Sequence, residues 1–485
     1  MIKIESPFHP LAQLEGARIV VLNWRDIQHP QAGGAEQYMH QIARRWVEVG
    51  AQVTWLTSRG PGQTHGGVID GIEIVRSGGA LGIYPRTALA LLRRYGRIDY
   101  VVDCQNGIPF FSPLFVERDV PVVQVVHHVH QDQFAMRFGP VLSAVGRFLE
   151  SRGTRAVYKD RPTAAVSPST RQELRRRLGF RGPIHIVPNG NSATPDVRSP
   201  RDPEPTITVV SRLVPHKRVD VLLAQLAVAA AAEPKLRVDI VGDGPERVRL
   251  TALAAELGLG DVVTFHGFQP DEIRDELLRR AWLTMSTSHH EGWGLSIIEA
   301  AAYGVPTLAL RVPGVRDSVV NGSTGWLVDE VGQFGTAAIL ALRELADEDR
   351  AREITEACQV WARCFTWDRS ASLLAGVLLA AGKPEIGPGD RSARSDMGII
   401  AEFDRPRDFA GALAYAALRP TDQVEVHGDR VGLLLTGCDE VDAAAALKRL
   451  GVTDADIRLA DRYDLLVGPA RLPNLLNRVH GPGAV

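Results

Sequence analysis

The stretch ARIVVLNWRDIQHPQAGGAEQYMHQIARRWVEVGAQVTWLTS, residues 17–58, contains the pattern that decides the fold. It opens with aliphatic and β-branched residues typical of a buried strand and continues through a polar loop that ends in Gly33 and Gly34. Apolar residues then recur at helical spacing, and a second strand-like run, AQVTWLTS, follows them. This order of strand, helix and strand predicts a parallel βαβ unit.

The same alternation continues through the first 200 residues. Further buried strands are predicted at the runs YVVDC, PVVQVVHH, TAAVS and IHIVPNG, with helical stretches between several of them. Almost continuous apolar strands are typical of a parallel sheet that is covered on both faces. We therefore predict an α/β, doubly wound, Rossmann-like domain over residues 1–195.

A second alternation begins after the Pro-rich polar segment NGNSATPDVRSPRDPEPT. Its predicted strands are TITVVSRL, LRVDIVGDG, VVTFHGF, AWLTMSTS and PTLALRV, which indicate a second Rossmann-like domain over residues 205–381. Ligands of such sheets bind beyond the carboxyl ends of the strands. Two facing domains would thus place their binding loops across one cleft.

The C-terminal residues predict a third, smaller domain. The segment GKPEIGPGDRSARSD, residues 382–396, is predicted to be a linker. Residues 397–485 then alternate in the order βαββαβ, which is typical of a small α+β, ferredoxin-like module.

Part of this module, LRPTDQVEVHGDRVGLLLTGCDEVDAAAALKRL, is similar to the hairpin and following helix of diguanylate cyclase domains, with HGDRV in the place of their GGDEF signature. Because the acidic metal ligand of that signature is missing, we expect no catalysis by the module. A regulatory, oligomerising or packing role is left open.

Composition narrows the class of protein. With 45% apolar and 23% charged residues, the 485-residue chain has the make-up of an ordinary globular protein of two or three domains. The start, MIKIESPFHP, lacks a signal-peptide pattern, and the apolar run 221–232 is too short to span a bilayer. The four cysteines show no CxxC spacing, which fits a reducing compartment without a zinc or disulfide framework. We therefore expect a cytoplasmic protein whose membrane contact, if any, is peripheral and at the inner membrane face.

Charge is distributed unevenly along the chain. Residues 1–200 carry more Lys and Arg than Asp and Glu, although the whole chain has a net charge of -2. Either scattered solvated arginines or a surface for anionic lipid, phosphate or an anionic acceptor would explain this excess. The helices RTALALLRRYGR and MRFGPVLSAVGRFLESRGTRAVYKD are the candidates for membrane contact. No nucleic acid partner is expected, because the basic residues are not interleaved with aromatic ones.

Short motifs follow several strands of the second domain. RLVPHK places Arg212 and Lys217 in one loop, where both could reach a phosphate group, although a solvated turn would also explain them. Gly242 in GDGP, like Gly33 and Gly34 before the first helix, marks only a strand-to-helix turn by itself, although glycine there lets anion-binding amides come close. In HHEGWGLSIIEA, residues 289–300, Glu291 and Glu299 are compatible with an acid/base pair, a metal site or a grip on a ligand.

Taken together, these motifs have the order and spacing of glycosyltransferase family 4, which the chain resembles from about Arg18 to Ala381. The resemblance implies a GT-B fold, in which two Rossmann-like domains face a cleft, and a transfer reaction that retains the configuration of the sugar. It also implies that a closing helix, about 368–381, packs back on the N-terminal domain.

The resemblance implies a role for each motif. Arg212 and Lys217 match two cations on the donor diphosphate, where they would stabilise the charge that grows on the leaving group. Gly33 and Gly34 match a loop whose backbone approaches the diphosphate. Glu299 matches a glutamate that accepts hydrogen bonds from the ribose hydroxyls of the donor. Glu291 is expected near the hydroxyls of the donor sugar. The donor is further expected to contact Gly242, Gly267, Gly292, Trp293, Gly294 and Leu295.

Three histidines at the end of the run PVVQVVHHVH invite comparison with a zinc site, but Cys and acidic ligands at matching spacing are lacking. In the resemblance His127 matches a histidine that contacts the donor sugar, whereas His128 and His130 are acceptor-side candidates. Asp103 and Asn106 in DCQNG are further acceptor-side candidates, with turn formation as the alternative.

The function implied is transfer of a hexose from a nucleotide-diphosphate sugar, of UDP or GDP type, to a hydroxyl of a glycan, lipid-linked or small-molecule acceptor. Lipid-linked or cell-surface glycan synthesis would be one context. An α-glycosidic bond would form by front-face substitution without a metal or other cofactor. The alternatives are a disaccharide-forming or phosphorolytic GT-B enzyme and a catalytically silent nucleotide-sugar sensor.

Overall fold

A computed structural model gives the structure of the chain. It describes residues 10–94, 96–131, 134, 139–159, 161–192, 201–382, 398–406, 418, 422–427, 429–438, 440–460, 464 and 466. The described residues form two compact units: the first contains residues 10–190 and 367–466, and the second contains residues 191–366.

The first unit is built on one large sheet with helices on both sides. Its strands are β1 (Arg18–Leu22), β2 (Gln52–Thr57), β3 (Gly66–Ile69), β4 (Ile72–Arg76), β5 (Tyr100–Gln105), β6 (Val122–Val126), β7 (Thr163–Ala165) and β8 (Ile184–Ile186). Its helices are α1 (Gly34–Glu48), α2 (Ile83–Arg93), α3 (Pro140–Phe148), α4 (Thr154–Tyr158) and α5 (Pro168–Arg176).

The strand order of this sheet is β3-β4-β2-β1-β5-β6-β7-β8. All pairs are parallel except β3 with β4, so the predicted doubly wound sheet is confirmed. The β3–β4 hairpin was not predicted, because β3 is the exposed edge segment GGVI and has no apolar alternation. The strand order reverses between β1 and β5, which is where ligands of such sheets bind.

The second unit repeats this architecture. Its strands are β9 (Thr206–Val210), β10 (Arg237–Val241), β11 (Val263–Gly267), β12 (Thr284–Ser286), β13 (Thr307–Leu310) and β14 (Gly325–Val328). Its helices are α6 (Val219–Ala232), α7 (Arg247–Glu256), α8 (Asp271–Arg280), α9 (Leu295–Ala302), α10 (Val315–Ser318), α11 (Phe334–Ala346) and α12 (Glu348–Arg363).

Two three-stranded parallel sheets form the centre of this unit, and a parallel bridge between Ile207 and Leu283 joins β9 to β12. The resulting order is β11-β10-β9-β12-β13-β14. This is the Rossmann order, whose reversal lies between β9 and β12.

The C-terminal module belongs to the first unit and contains an antiparallel sheet. Its elements are β15 (Gly398–Asp404), β16 (Gln423–His427), β17 (Arg430–Thr436), α14 (Glu440–Arg449) and β18 (Asp456–Leu459). The strand order β16-β17-β15-β18 is that of a ferredoxin-like sheet. The predicted linker and the helix predicted at DFAGALAYAAL lie almost entirely outside the described residues.

The helix α13 (Trp367–Ala381) packs on the remainder of the first unit. The indole Nε1 of Trp46 donates to the carbonyl of Ala371 at 3.1 Å, and the Ser370 hydroxyl donates to the carbonyl of Pro188 at 2.7 Å. Its Arg369 donates to the Gln423 side chain at 2.9 Å, which ties the C-terminal module to the same helix. Among the described residues, no helix has both the length and the hydropathy needed to cross a membrane.

Candidate active site

In the second unit, the loops that follow β9 and β12 are hydrogen bonded to each other at the point of strand-order reversal. The Thr287 hydroxyl donates to the carbonyls of Lys217 and Arg218, at 3.3 and 2.9 Å. The amide of His289 donates to the carbonyl of His216 at 2.9 Å. The motif RLVPHK is therefore held against HHEGWG, although about 70 residues separate the two in sequence.

The side chains of Lys217 and Glu291 meet at this point in a direct ion pair. Both are largely shielded, with 19% and 17% of the side chain exposed. Burial alone would raise the pKa of Glu291, but the ammonium of Lys217 and the hydrogen bonds from Lys217 and Ser288 outweigh it and lower this pKa. Glu291 is therefore ionised at neutral pH and serves as an acceptor and counter-ion.

Arg212 lies in the same loop as Lys217, and its side chain is exposed. Arg212 forms no ion pair with any of the described residues. The loop thus presents one restrained cation and one exposed cation, which together can bind an anion such as a diphosphate.

Glycines shape the neighbouring turns at the carboxyl ends of β10 and β11. Gly242 has φ +134°, and a Cβ atom there would lie 2.0 Å from the carbonyl oxygen of Ser211. Its amide donates to the carbonyl of Gly267 at 2.8 Å. The glycine at 242 is therefore required by close packing against the Arg212 loop, whatever ligand binds there.

The segment 292–295 leads into α9, which begins at Leu295. The Gly294 amide donates to the Ser318 hydroxyl at 2.9 Å, and the Trp293 ring is 6% exposed and packs at 5.0 Å on Phe365. The Gly294 amide is thus already bonded within the chain, and the Trp293 ring packs on Phe365. The expected donor contacts of the backbone at 292–295 stay predictions. Gly292 and Leu295 are half-buried at the edge of the loop.

Glu299 lies in the second turn of α9 and is half-buried. Burial raises its pKa to about 7, and Arg274 offsets only part of this effect, because Asp275 and Asp271 add to it. Glu299 and Glu291 therefore differ in charge state near neutrality, although one motif carries both.

In the first unit, the loop of Gly33 and Gly34 is fixed by the first turn of α1. The Glu36 carboxylate accepts from the Gly33 amide at 2.7 Å and pairs with Arg25 at 3.0 Å. A Cβ atom at Gly34 would meet no protein atom within 4 Å. The Gly33 amide is thus already bonded to a carboxylate, whereas Gly34 leaves the backbone open at the exposed amino end of α1, where an anion could approach.

Two asparagines mark the strand-order reversal of the first unit. Asn23 follows β1 and Asn106 follows β5, and the Asn106 side-chain amide donates to the Asn23 side-chain oxygen at 2.6 Å. The Nδ2 atom of Asn23 is buried and has no hydrogen-bond partner in the structure. Sequence reasoning missed Asn23, although its position at the end of the first strand was a usable signal.

His127 directly follows the strand β6 and is 6% exposed, with its ring edge-on to Tyr38 at a centroid distance of 4.9 Å. Burial, with smaller contributions from His128 and His130, lowers its pKa to about 3, so the imidazole is neutral. Its Nε2 atom is buried without a hydrogen-bond partner in the structure. A neutral ring with an unsatisfied nitrogen can hydrogen bond a ligand hydroxyl.

The rings of His128 and His130 stack with their centroids 3.9 Å apart. The His130 amide donates to the Glu150 carboxylate at 2.6 Å. Within the described residues, no group of His, Cys, Asp and Glu has an arrangement that could hold a metal ion.

Asp103 is fully buried and accepts hydrogen bonds from the Phe110 amide, the Ser112 amide and hydroxyl, and the Tyr158 hydroxyl. Burial raises the pKa of this carboxyl despite these bonds. These bonds fold the loop after β5, so for Asp103 the structure favours the turn-forming alternative over the acceptor-side one.

Two protein families match successive parts of the chain. Residues 32–194 match the family described as Glycosyltransferase Family 4, and residues 193–359 match Glycosyl transferases group 1.

Curated relatives match part of the chain. A D-inositol 3-phosphate glycosyltransferase of Thermomonospora curvata is 38% identical over 182 residues, which cover 36% of this chain and 42% of the relative. The protein of the same name from Nocardia farcinica is 35% identical over 231 residues, 44% of this chain and 51% of the relative. The chain thus spans about half the length of the curated relatives it matches.

Solved structures match most of the chain. Sucrose-phosphate synthase from Thermosynechococcus elongatus superposes with a TM-score of 0.60 at 22% identity, covering 73% of this chain and 96% of that chain. Anabaena HepE in complex with UDP and glucose superposes with a TM-score of 0.57 at 17% identity, covering 75% of this chain and 99% of that chain. At these identities the likeness concerns the fold.

Proposed function

Because this chain belongs to the glycosyltransferases, as a family 4 domain followed by a group 1 domain on the GT-B fold, we propose that it is a retaining hexosyltransferase that uses a nucleotide-diphosphate sugar. The observation that carries this proposal is the Lys217–Glu291 pair beside exposed Arg212, at the strand-order reversal of the second unit. Two cations and a carboxylate at that place match the charge pattern of a sugar diphosphate.

In the proposed reaction the bond between the anomeric carbon and the diphosphate oxygen breaks. Arg212 and Lys217 stabilise the negative charge that develops on the departing oxygen. The acceptor hydroxyl attacks from the same face, and its proton passes to that oxygen, so the configuration is retained. Glu291, ionised by its pairing with Lys217, accepts hydrogen bonds from donor-sugar hydroxyls rather than acting as a general acid.

The donor base and the acceptor are proposed by class. The Anabaena structure named above binds UDP, which makes UDP sugars the first donors to test, with GDP sugars next. The relatives are named for D-inositol 3-phosphate. A polyol phosphate therefore joins glycans, lipid-linked molecules and small molecules as a candidate class of acceptor. Neutral His127, with its unsatisfied Nε2, is proposed to contact the donor sugar.

Thermal unfolding with nucleoside diphosphates tests the donor proposal. At a concentration of 100 times Kd, a ligand of the native state stabilises it by about 2.7 kcal/mol, so UDP or GDP should raise the Tm. The Lys217→Ala variant should lose most of this rise, while Lys235→Ala, an exposed lysine outside the site, should keep it. A chain that no nucleoside diphosphate stabilises would contradict the proposal.

A further inference from the structure

A basic cavity of about 290 Å³ lies in the first unit, between the end of α4 and the loop after α5. Its charged lining consists of Arg152, Arg155, Lys159, Arg161 and Arg181. No carboxylate is found among the described residues that line it. The cavity is separate from the candidate active site, since none of these residues belongs to it.

The cavity has a fixed floor and an accessible rim. Arg161 donates to the carbonyls of Val120 and Arg118, at 3.3 and 3.2 Å, which holds its guanidinium in place. Arg155 and Arg181 are exposed at the rim. Guanidinium groups gathered in this way match the oxygens of a phosphate ester.

Gly179 provides the wall behind one of these arginines. It has φ +68°, and a Cβ atom there would lie 2.8 Å from Nη1 of Arg155. The shape of the cavity therefore depends on a residue without a side chain.

An apolar surface lies on the helix α3, which directly precedes the cavity-lining segment in the chain. Val141, Leu142, Val145 and Phe148 are 76%, 64%, 49% and 54% exposed. The positions 141, 145 and 148 have the spacing of one helix face. The opposite face is packed, since a Cβ atom at Gly146 would lie 2.7 Å from the Phe134 ring. Four neighbouring exposed apolar side chains are unusual for a face that contacts only water.

The helix that carries the apolar surface leads along the chain directly into residues that line the basic cavity. The helix α3 passes through one wide turn, Leu149–Gly153, directly into α4. Phe148 and Arg152 are four residues apart, or about 6 Å along a helix axis. A membrane interface offers phosphate groups and acyl chains within about 5–10 Å of depth. A soluble phosphate would match the cavity alone and leave the apolar face without a ligand.

We propose that the cavity binds the phosphate of an anionic phospholipid headgroup while the exposed face of α3 enters the acyl region of the same leaflet. The helix also supports the acceptor side of the first unit, because Glu150, in its wide turn, accepts from the His130 amide at 2.6 Å. Lipid binding would thus bring His130 and Glu150 close to a membrane surface. The lipid site does not depend on the proposed sugar transfer.

Co-sedimentation with vesicles of phosphatidylglycerol or phosphatidylcholine, at low salt, tests the site. The full chain should bind the phosphatidylglycerol vesicles and not the phosphatidylcholine vesicles. The triple variant Arg152→Gln, Arg155→Gln, Arg181→Gln should bind about 100-fold more weakly, at about 1 kcal/mol for each charge. The control triple Lys235→Gln, Arg343→Gln, Arg363→Gln removes the same charge from exposed positions and should bind normally.

The apolar face is tested separately by the double variant Val141→Ser, Phe148→Ser, which should also lose vesicle binding. Both sets of positions are exposed, so thermal unfolding should match the full chain, and the Tm shift with UDP should be unchanged. Equal binding by the cavity and control triples would overturn the proposal. So would competition by millimolar inorganic phosphate that abolishes all binding, or conversion of a dimer to a monomer by the serine variant.

Discussion

Glu291 and Glu299 show how one motif produces two different carboxyl groups. Glu291 pairs with Lys217, which lowers its pKa, whereas Glu299 is half-buried near two aspartates, and burial raises its pKa to about 7. Two carboxyl groups that act as general acid and general base would also have different pKa values. Glu291, however, is ionised in its ion pair with Lys217 and has no proton to donate. The two environments fit a site that grips charged and hydroxyl groups.

Turnover should depend on Lys217. Replacing Lys217 with Ala removes a cation that, in the proposed reaction, stabilises the charge on the leaving group, and kcat should fall about 100- to 1000-fold. Steady-state transfer assays measure this, with Lys235→Ala as the control at an exposed site. Retention of full activity by Lys217→Ala would refute its assigned role.

The titration of Glu299 should be visible in stability. Its folded pKa of about 7 lies above its ordinary value of 4.5, so its neutral form contributes stability below pH 4.5 that is lost as pH rises through 7. The Glu299→Gln variant has no carboxyl group to ionise at this position, so this loss is absent. Between pH 5 and 8 its free energy of unfolding should therefore rise by up to about 3 kcal/mol relative to that of the native chain.

Urea unfolding across this pH range measures the difference, and Glu256→Gln, at an exposed glutamate, is the control. Parallel stability curves for native and Glu299→Gln chains would show that the carboxyl titrates normally.

Residue types in motifs predicted part of the site. The resemblance assigned Lys217 and Glu291 to different parts of one donor, and their direct ion pair was not predicted. The burial of Trp293 on Phe365 could not be predicted, since it depends on packing by residues 72 positions away. The same holds for Asp103, whose partner Tyr158 lies 55 positions further along the chain.

At the scale of elements, strand-to-helix turns set the positions of the charged side chains. Gly242→Ala should destabilise the second unit by well over 1 kcal/mol, because φ +134° is unfavourable for alanine and its Cβ would overlap the Ser211 carbonyl. Gly260→Ala, where a Cβ would meet nothing within 4 Å, should change the free energy of unfolding by less than about 0.5 kcal/mol. Chemical denaturation compares them, and equal effects would contradict this account of the turn.

Elements with a strong period were predictable. The helix predicted between the two strands of residues 17–58 is observed as Gly34–Glu48, and the β-branched run at β1 forms a central strand. The hairpin of β3 and β4 was missed because β3 has two glycines and one exposed face. Short edge strands are formed by pairing with a neighbour rather than by a pattern of their own.

At the scale of the whole molecule, the same design occurs twice. Each unit has a parallel sheet whose strand order reverses, and each places polar residues at that reversal: Asn23 and Asn106 in the first, Lys217 and Glu291 in the second. The alternation of strands and helices in the sequence predicted both sheets. The role of the C-terminal module was not predictable, because a ferredoxin-like fold hosts many functions.

The central claim is that the chain transfers sugar with retention through protein cations. Proton NMR of donor hydrolysis, with an α-linked nucleotide sugar and excess EDTA, tests it without knowledge of the acceptor. At early times the α-anomer of the free sugar should form, and Lys217→Ala should release it at least about 100 times more slowly. Release of the β-anomer first, or loss of activity in EDTA, would contradict the account.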